Sequence, residues 1–167
     1  MKLFLDSADT EEIVKIWETG FLEGVTTNPS LLVAAKIDPF VTIKKICELV
    51  DTEVHVQVTE KECAAMCAQA KKFKEISPKI VIKLPCTEQG YLACRELVAK
   101  KYRVTMTACY SPMQAVLAEK CGAEYVAPYI GRCADRYGDG IGLCRLLTMC
   151  LILLLIVNVV LLTIQIV

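Results

Sequence analysis

Three observations predict an α/β fold. Short β-branched runs alternate with helical patterns, the order is strand then helix throughout, and successive strands begin roughly 20 to 30 residues apart. That spacing is the repeat length of the TIM (β/α)8 barrel. Six units can be counted, so the sequence predicts a barrel truncated to about six β/α units and followed by a divergent hydrophobic tail. The expected partition is a partial barrel over residues 1–142 and the tail over 143–167. An open doubly wound sheet is the alternative, but it would advertise a glycine-rich turn after its first strand. Here that strand ends in Asp6-Ser7-Ala8.

The elements follow in order. "KLFLD" reads as the first strand, and Asp9 with Glu12 fits a capping box opening the helix "TEEIVKIWETG", which stops at Gly20. "GVTT" is the second strand. Asn28-Pro29 then places a capping side chain before a proline at the first helical position. "EVHVQV" is the third strand, and Thr59 with Glu62 fits a second capping box before "KECAAMCAQAKKFKEI". "KIVIKLP" and "RVTMTA" are the fourth and fifth strands. Ser111-Pro112 opens the next helix, Gly122 ends it, and "EYVAPY" is the sixth strand.

A chain of 167 residues fits one domain. Nineteen basic and nineteen acidic residues leave no surplus to hold nucleic acid or an anionic membrane surface. The expected partners are small molecules or copies of the chain itself. Ten cysteines include one pair at close helical spacing, Cys63 and Cys67, but there is no C-x-x-C and His55 is the only histidine, which argues against a zinc site. No metal or cofactor is expected. "MKLFLDSAD" lacks the length and apolar run of a secretory signal, so a reducing, cytoplasmic setting with free thiols is expected.

The carboxyl ends of the strands are polar: Asp6, then Thr26, Thr27 and Asn28, then Gln57, Lys83, Thr107 and Tyr129. Catalytic groups gather at those ends in barrels, although polar residues favour turns in any fold. Lys83 stands out. Side chains alternate along "KIVIKLP", so if Ile80, Ile82 and Leu84 meet the helices, Lys83 points into the barrel. Loss of hydration there disfavours the ammonium and raises the share of neutral amine, which attacks carbonyls to form a Schiff base. The competing reading is a lysine whose stem packs on the apolar wall while its head reaches the barrel mouth. His55 shares the face of Gln57 nearer the other end, as expected of a satisfied interior histidine. Cys86 and Cys109 flank the site as core fillers or oxidation-prone thiols, and "GDGIG" over residues 138–142 reads as a turn.

"LDSAD", "GVTTNPSLL", "IVIKLPCTEQG", "TACYSPMQAVLA" and "GAEYVAPYIGR" together resemble the transaldolase family, specifically its small members similar to fructose-6-phosphate aldolase. The resemblance runs from Met1 to about Gly142. It implies a TIM barrel whose fourth strand carries the Schiff-base lysine, the position of Lys83. It also implies that Asp6 orients substrate hydroxyls and that Thr26, Thr27 and Asn28 line the site. Gln57 and Tyr129 stand where transaldolases carry glutamate and phenylalanine, which resembles the aldolase branch. There the tyrosine handles protons through a water that the glutamine and a threonine, here Thr107, help to hold. Arg132 matches the family's phosphate-binding arginine, and taken alone reads equally as a loop charge. The implied substrate is a sugar phosphate, cleaved by an aldolase without a cofactor or transferred by a transaldolase. The family also forms homo-oligomers.

Past Gly142 the motifs stop, two units short of eight. Residues 146–167 hold no charged side chain, and as a helix they would extend about 33 Å at about 1.5 Å per residue, enough for a bilayer core of about 30 Å. Three readings compete: a membrane span, a packed replacement for missing barrel elements, or unrelated sequence from a shifted or shortened reading frame. The abruptness of the break inside a barrel unit favours the last, which would leave a catalytically silent remnant of the family.

Overall fold

The computed structural model describes residues 2–137, together with 142, 145, 158 and 159. Its strands are β1 (Phe4–Asp6), β2 (Gly24–Thr26), β3 (Glu53–Gln57), β4 (Ile80–Pro85), β5 (Val104–Cys109), β6 (Tyr125–Pro128) and β7 (Asn158–Val159). Its helices are α1 (Thr10–Trp17), α2 (Pro29–Ala34), α3 (Pro39–Leu49), α4 (Cys63–Ile76), α5 (Glu88–Ala99), α6 (Pro112–Lys120) and α7 (Ile130–Tyr137). All strand pairings are parallel and in sequence order, from β1 to β7. Strands β1 to β6 alternate with helices in a curled, partial TIM barrel, as the spacing predicts.

Alternation along each strand builds two layers. Ile80, Ile82 and Leu84 are buried with Val54, Val56, Val104 and Met106 beneath Ile46, Met66, Phe73 and Leu97 of the helices. The opposite face forms its own cluster of Phe4, Val81 and Tyr125. His55 meets Phe4 and Tyr125 edge-on at centroid distances of 4.9 and 5.0 Å. The helix-facing set anticipated for β4 therefore leaves Val81 and Lys83 on the inner face.

Local chemistry sets the boundaries. Asn28 and Ser111 cap α2 and α6 by accepting from the amides of Leu31 and Gln114, each before a proline. Gly20 and Gly122 have φ of 71° and 82°, the left-handed region in which glycine carries no Cβ penalty. Asp9 caps α1, but the reciprocal half of the expected box is absent: the Glu12 carboxylate accepts from the Ser7 hydroxyl at 2.5 Å instead. The expected box at Thr59 does not form at all. Helix α4 begins at Cys63, and Thr59 is tied to Gln69, whose Oε1 takes the Thr59 amide at 2.8 Å while its Nε2 donates to Thr59 Oγ1 at 3.0 Å. A long glutamine amide outcompetes the start signal. Helix α3, capped by Asp38, follows α2 as an additional element within one unit.

Residues 138–141 of the glycine-rich turn lie outside the described residues, as does most of the hydrophobic tail. Within the tail, Asn158 and Val159 pair in parallel with Tyr125 and Val126. No helix among the described residues is long and apolar enough to cross a membrane.

Candidate active site

Register places the inward residues in layers. Asp6 pairs with Thr26 across β1 and β2, and Gln57 pairs with Lys83 across β3 and β4. On β5, Thr105 pairs with Lys83, and Thr107 pairs with Pro85 and Ala127 one inward step closer to the mouth. Lys83 is 2% exposed, and its Nζ donates to the Thr27 carbonyl at 2.8 Å. Burial pushes its ammonium down from the ordinary 10.5 to about 8, while the negative charge of Asp6 pulls the other way. At pH 7 about one amine in ten is then neutral.

Asp6 is fixed rather than free. Thr26 Oγ1 donates to its Oδ1 at 2.6 Å, and Asn28 Nδ2 donates to its Oδ2 at 3.3 Å. The Asn28 amide uses both ends, since its Oδ1 takes the Leu31 amide at 3.0 Å. Capping a helix and orienting a site carboxylate are one arrangement. Thr27 Oγ1 donates to the His55 carbonyl at 3.0 Å, so the β2 turn is clamped between Asp6, β3 and Lys83. Helix α5 presses on the end of β4 beyond the lysine: a Cβ added at Gly90 would sit 2.0 Å from the Pro85 carbonyl oxygen.

Two inner-face polar atoms, Gln57 Oε1 level with Lys83 and Thr107 Oγ1 one inward step toward the barrel mouth, are buried without a hydrogen-bond partner among the described residues. Buried polar atoms without partners are costly, and these two sit on the strands flanking β4. His55, one step deeper, corrects the expectation of a satisfied ring. Its Nδ1 meets Thr105 Oγ1 at 2.9 Å, but Nε2 has no partner among the described residues. Burial, with the positive charges of Lys83, Arg103 and Lys2, holds this imidazole well below its ordinary range and therefore neutral.

At the rim, Tyr129 is half-buried. Its ring lies edge-on to Tyr110 at 5.5 Å, and the Arg132 guanidinium sits 4.8 Å from its centroid. Arg132 is exposed. No hydrogen bond joins Tyr129, Gln57 and Thr107 directly among the described residues. Cys86 and Cys109 are buried side by side, and a hydrogen bond between the thiols pushes Cys86 up and Cys109 down.

Two features escaped sequence reading. Ala108 lies at the register shift of β5 with φ of 55°, a strained backbone for a residue with a Cβ. Nothing in "TMTACYSP" marks it. At the opposite end of the interior, Glu53 is 7% exposed and accepts from Tyr125 Oη at 2.9 and 3.1 Å. Arg103 pairs with the same carboxylate, and Lys2 approaches it at 3.4 Å. Alternation along "EVHVQ" places Glu53 on the face of His55 and Gln57, so the signal was present.

A parallel β/α barrel sheet with a dry lysine at the carboxyl end of its fourth strand defines a recognisable class of protein. The chain belongs to the transaldolase/fructose-6-phosphate aldolase family, whose model matches residues 3–149. The match continues past Gly142, where the quoted motifs end. A "Probable transaldolase" of Caulobacter vibrioides is 39% identical over 145 residues, covering 87% of this chain and 67% of that relative. Another from Sinorhizobium medicae is 42% identical over 145 residues with the same coverage. A third, from Maricaulis maris, is 42% identical over 143 residues, 86% of this chain and 66% of the relative. The matched segment thus spans about two thirds of these relatives' length.

Proposed function

We propose that Lys83 is a Schiff-base nucleophile and that the chain carries the carbon–carbon bond chemistry of its family on a ketose phosphate, fructose 6-phosphate being the expected substrate. The observation that carries this reading is the buried amine itself, held near pKa 8 by dehydration against a fixed carboxylate. Neutral Lys83 adds to the C2 carbonyl and expels water, leaving a protonated imine. Tyr129, through a water held by Gln57 and Thr107, takes the C4 hydroxyl proton. The C3–C4 bond breaks, its electron pair passes into the imine, and glyceraldehyde 3-phosphate leaves behind a dihydroxyacetone enamine. Asp6 and Asn28 orient substrate hydroxyls, Thr26 and Thr27 line the site beside them with Thr26 holding Asp6, and Arg132 meets the phosphate. The unmet Gln57 and Thr107 atoms support a polar occupant between them.

Hydrolysis of the reprotonated imine makes this an aldolase, the reading favoured by Gln57 and Tyr129. Capture of the enamine by a second aldose makes it a transaldolase, the reading favoured by the names of the relatives. Incubation with dihydroxyacetone and borohydride is expected to leave a reduced adduct on the Lys83 peptide, formed about tenfold faster at pH 9 than at pH 7 as the amine loses its proton. An unmodified Lys83 in folded protein would overturn the proposal. Product formation with and without erythrose 4-phosphate separates the two outcomes.

A further inference from the structure

A second cluster lies on the outer helical layer. Cys63 opens α4 and Cys67 follows one turn later on the same face. Glu96 of α5 reaches across: the Cys63 thiol donates to Oε1 at 3.5 Å, and the Cys67 thiol to Oε2 at 3.8 Å. One ligand atom from each of the three residues lies within 4.8 Å of the others. A tetrahedral ion bound at about 2.3 Å by sulfur and about 2.1 Å by a carboxylate oxygen separates those ligands by about 3.6 Å. The two thiol–carboxylate contacts, 3.5 and 3.8 Å, are close to that spacing, and the three ligand atoms have only to draw together from within 4.8 Å.

We propose that Cys63, Cys67 and Glu96 form a binding site for a thiophilic divalent cation of the zinc class, clasping α4 to α5, with water completing the tetrahedron. Two thiolates are the soft donors that select such an ion over magnesium or calcium. Two thiolates and a carboxylate leave one net negative charge around a divalent ion, and the Lys100 ammonium, 3.7 Å from Glu96 Oε2, offsets it. The frame is held before any ion arrives, since the Cys63 amide donates to Gln89 Oε1 of α5 at 3.1 Å. Cys63 and Cys67 are half-buried and Glu96 is exposed, so an ion has a path in. The sequence alone argues against zinc because it shows no C-x-x-C and a single histidine. Glu96 stands 33 positions from Cys63 and joins them only through the packing of adjacent helices.

Cadmium is a suitable probe, because its thiolate complexes absorb in the ultraviolet. Titrating reduced, desalted full-length chain should give one tight equivalent with that absorption and a raised melting temperature. The double variant Cys63→Ser/Cys67→Ser should lose that equivalent, its absorption and the thermal shift. Glu96→Gln, an exposed and conservative change, should keep the absorption but weaken binding about tenfold. The proposal fails if the wild type shows no such equivalent. It fails equally if the equivalent survives in the double variant, which would place it on other thiols, or if Glu96→Gln binds as tightly as wild type.

Discussion

The two ends of the barrel interior treat buried charge in opposite ways. At the amino end, Glu53 is met by Tyr125, Arg103 and Lys2, and Arg103 is engaged again by Glu124 at 2.6 and 2.7 Å. Charge there is matched by charge. At the carboxyl end, Lys83 donates to a backbone carbonyl, Asp6 is occupied by neutral donors, and Gln57 and Thr107 keep oxygens unmet among the described residues. One end spends its polar groups on each other, while the other withholds them. The difference supports the proposed placement of the site, because a satisfied network has nothing left to offer a ligand, whereas an unsatisfied one is stabilised by one.

Lys83→Met tests that contrast most severely. The reduced dihydroxyacetone adduct should vanish, while the protein becomes more stable at pH 7 by about 1–3 kcal/mol. In the folded chain Lys83 loses its proton near 8, and in the unfolded chain near 10.5. Between those values the unfolded state binds more protons, so wild-type stability rises with pH across the window. Below it, the buried ammonium costs its full amount. The advantage of the variant should therefore shrink as pH climbs past 8. Urea unfolding at pH 7 and pH 10 measures this, and a constant difference between the proteins would sink the account of a dehydrated lysine.

Glu53→Gln strikes the opposite end. Losing the buried carboxylate breaks its links to Tyr125, Arg103 and Lys2, and the expected cost is about 1–3 kcal/mol, moderated because Arg103 keeps Glu124. Adduct formation at Lys83 should continue at the wild-type rate. Loss of trapping in protein that circular dichroism shows to be folded would mean the two ends are not separable.

Much of this contrast was legible in the sequence, for a physical reason. Alternation along a strand is a local property, so the inward direction of Lys83 followed from neighbours one and two residues away. Prolines after Asn28 and Ser111 fixed two helix starts in the same local way. What stayed hidden depends on distant partners. The pairing of Glu53 with Arg103 and Tyr125 spans 50 and 72 positions, and Gln69 overrides the start signal at Thr59 from ten residues away. The unmet Nε2 of His55 belongs to the same class, since only the assembled interior shows which ring nitrogen finds a partner.

The bulge at Ala108 offers the finest test. Its φ of 55° lets β5 take an extra residue between Thr107 and Cys109, which sets where Thr107 ends and where the Tyr129 amide meets the Cys109 carbonyl at 3.0 Å. An alanine there is strained in the folded state, and glycine would relieve the strain while widening the unfolded ensemble. The two effects oppose each other, so Ala108→Gly should stabilise the chain by no more than about 1 kcal/mol in urea unfolding. Glycine also loosens the bulge, and in the proposed mechanism Thr107 would then hold the water less firmly. Adduct formation, which depends on Lys83, should be unchanged, while carbon–carbon cleavage slows. If trapping falls in parallel with cleavage, the bulge positions the lysine itself, and the carboxyl end of the barrel is a single mechanical unit rather than an amine beside an independently held proton path.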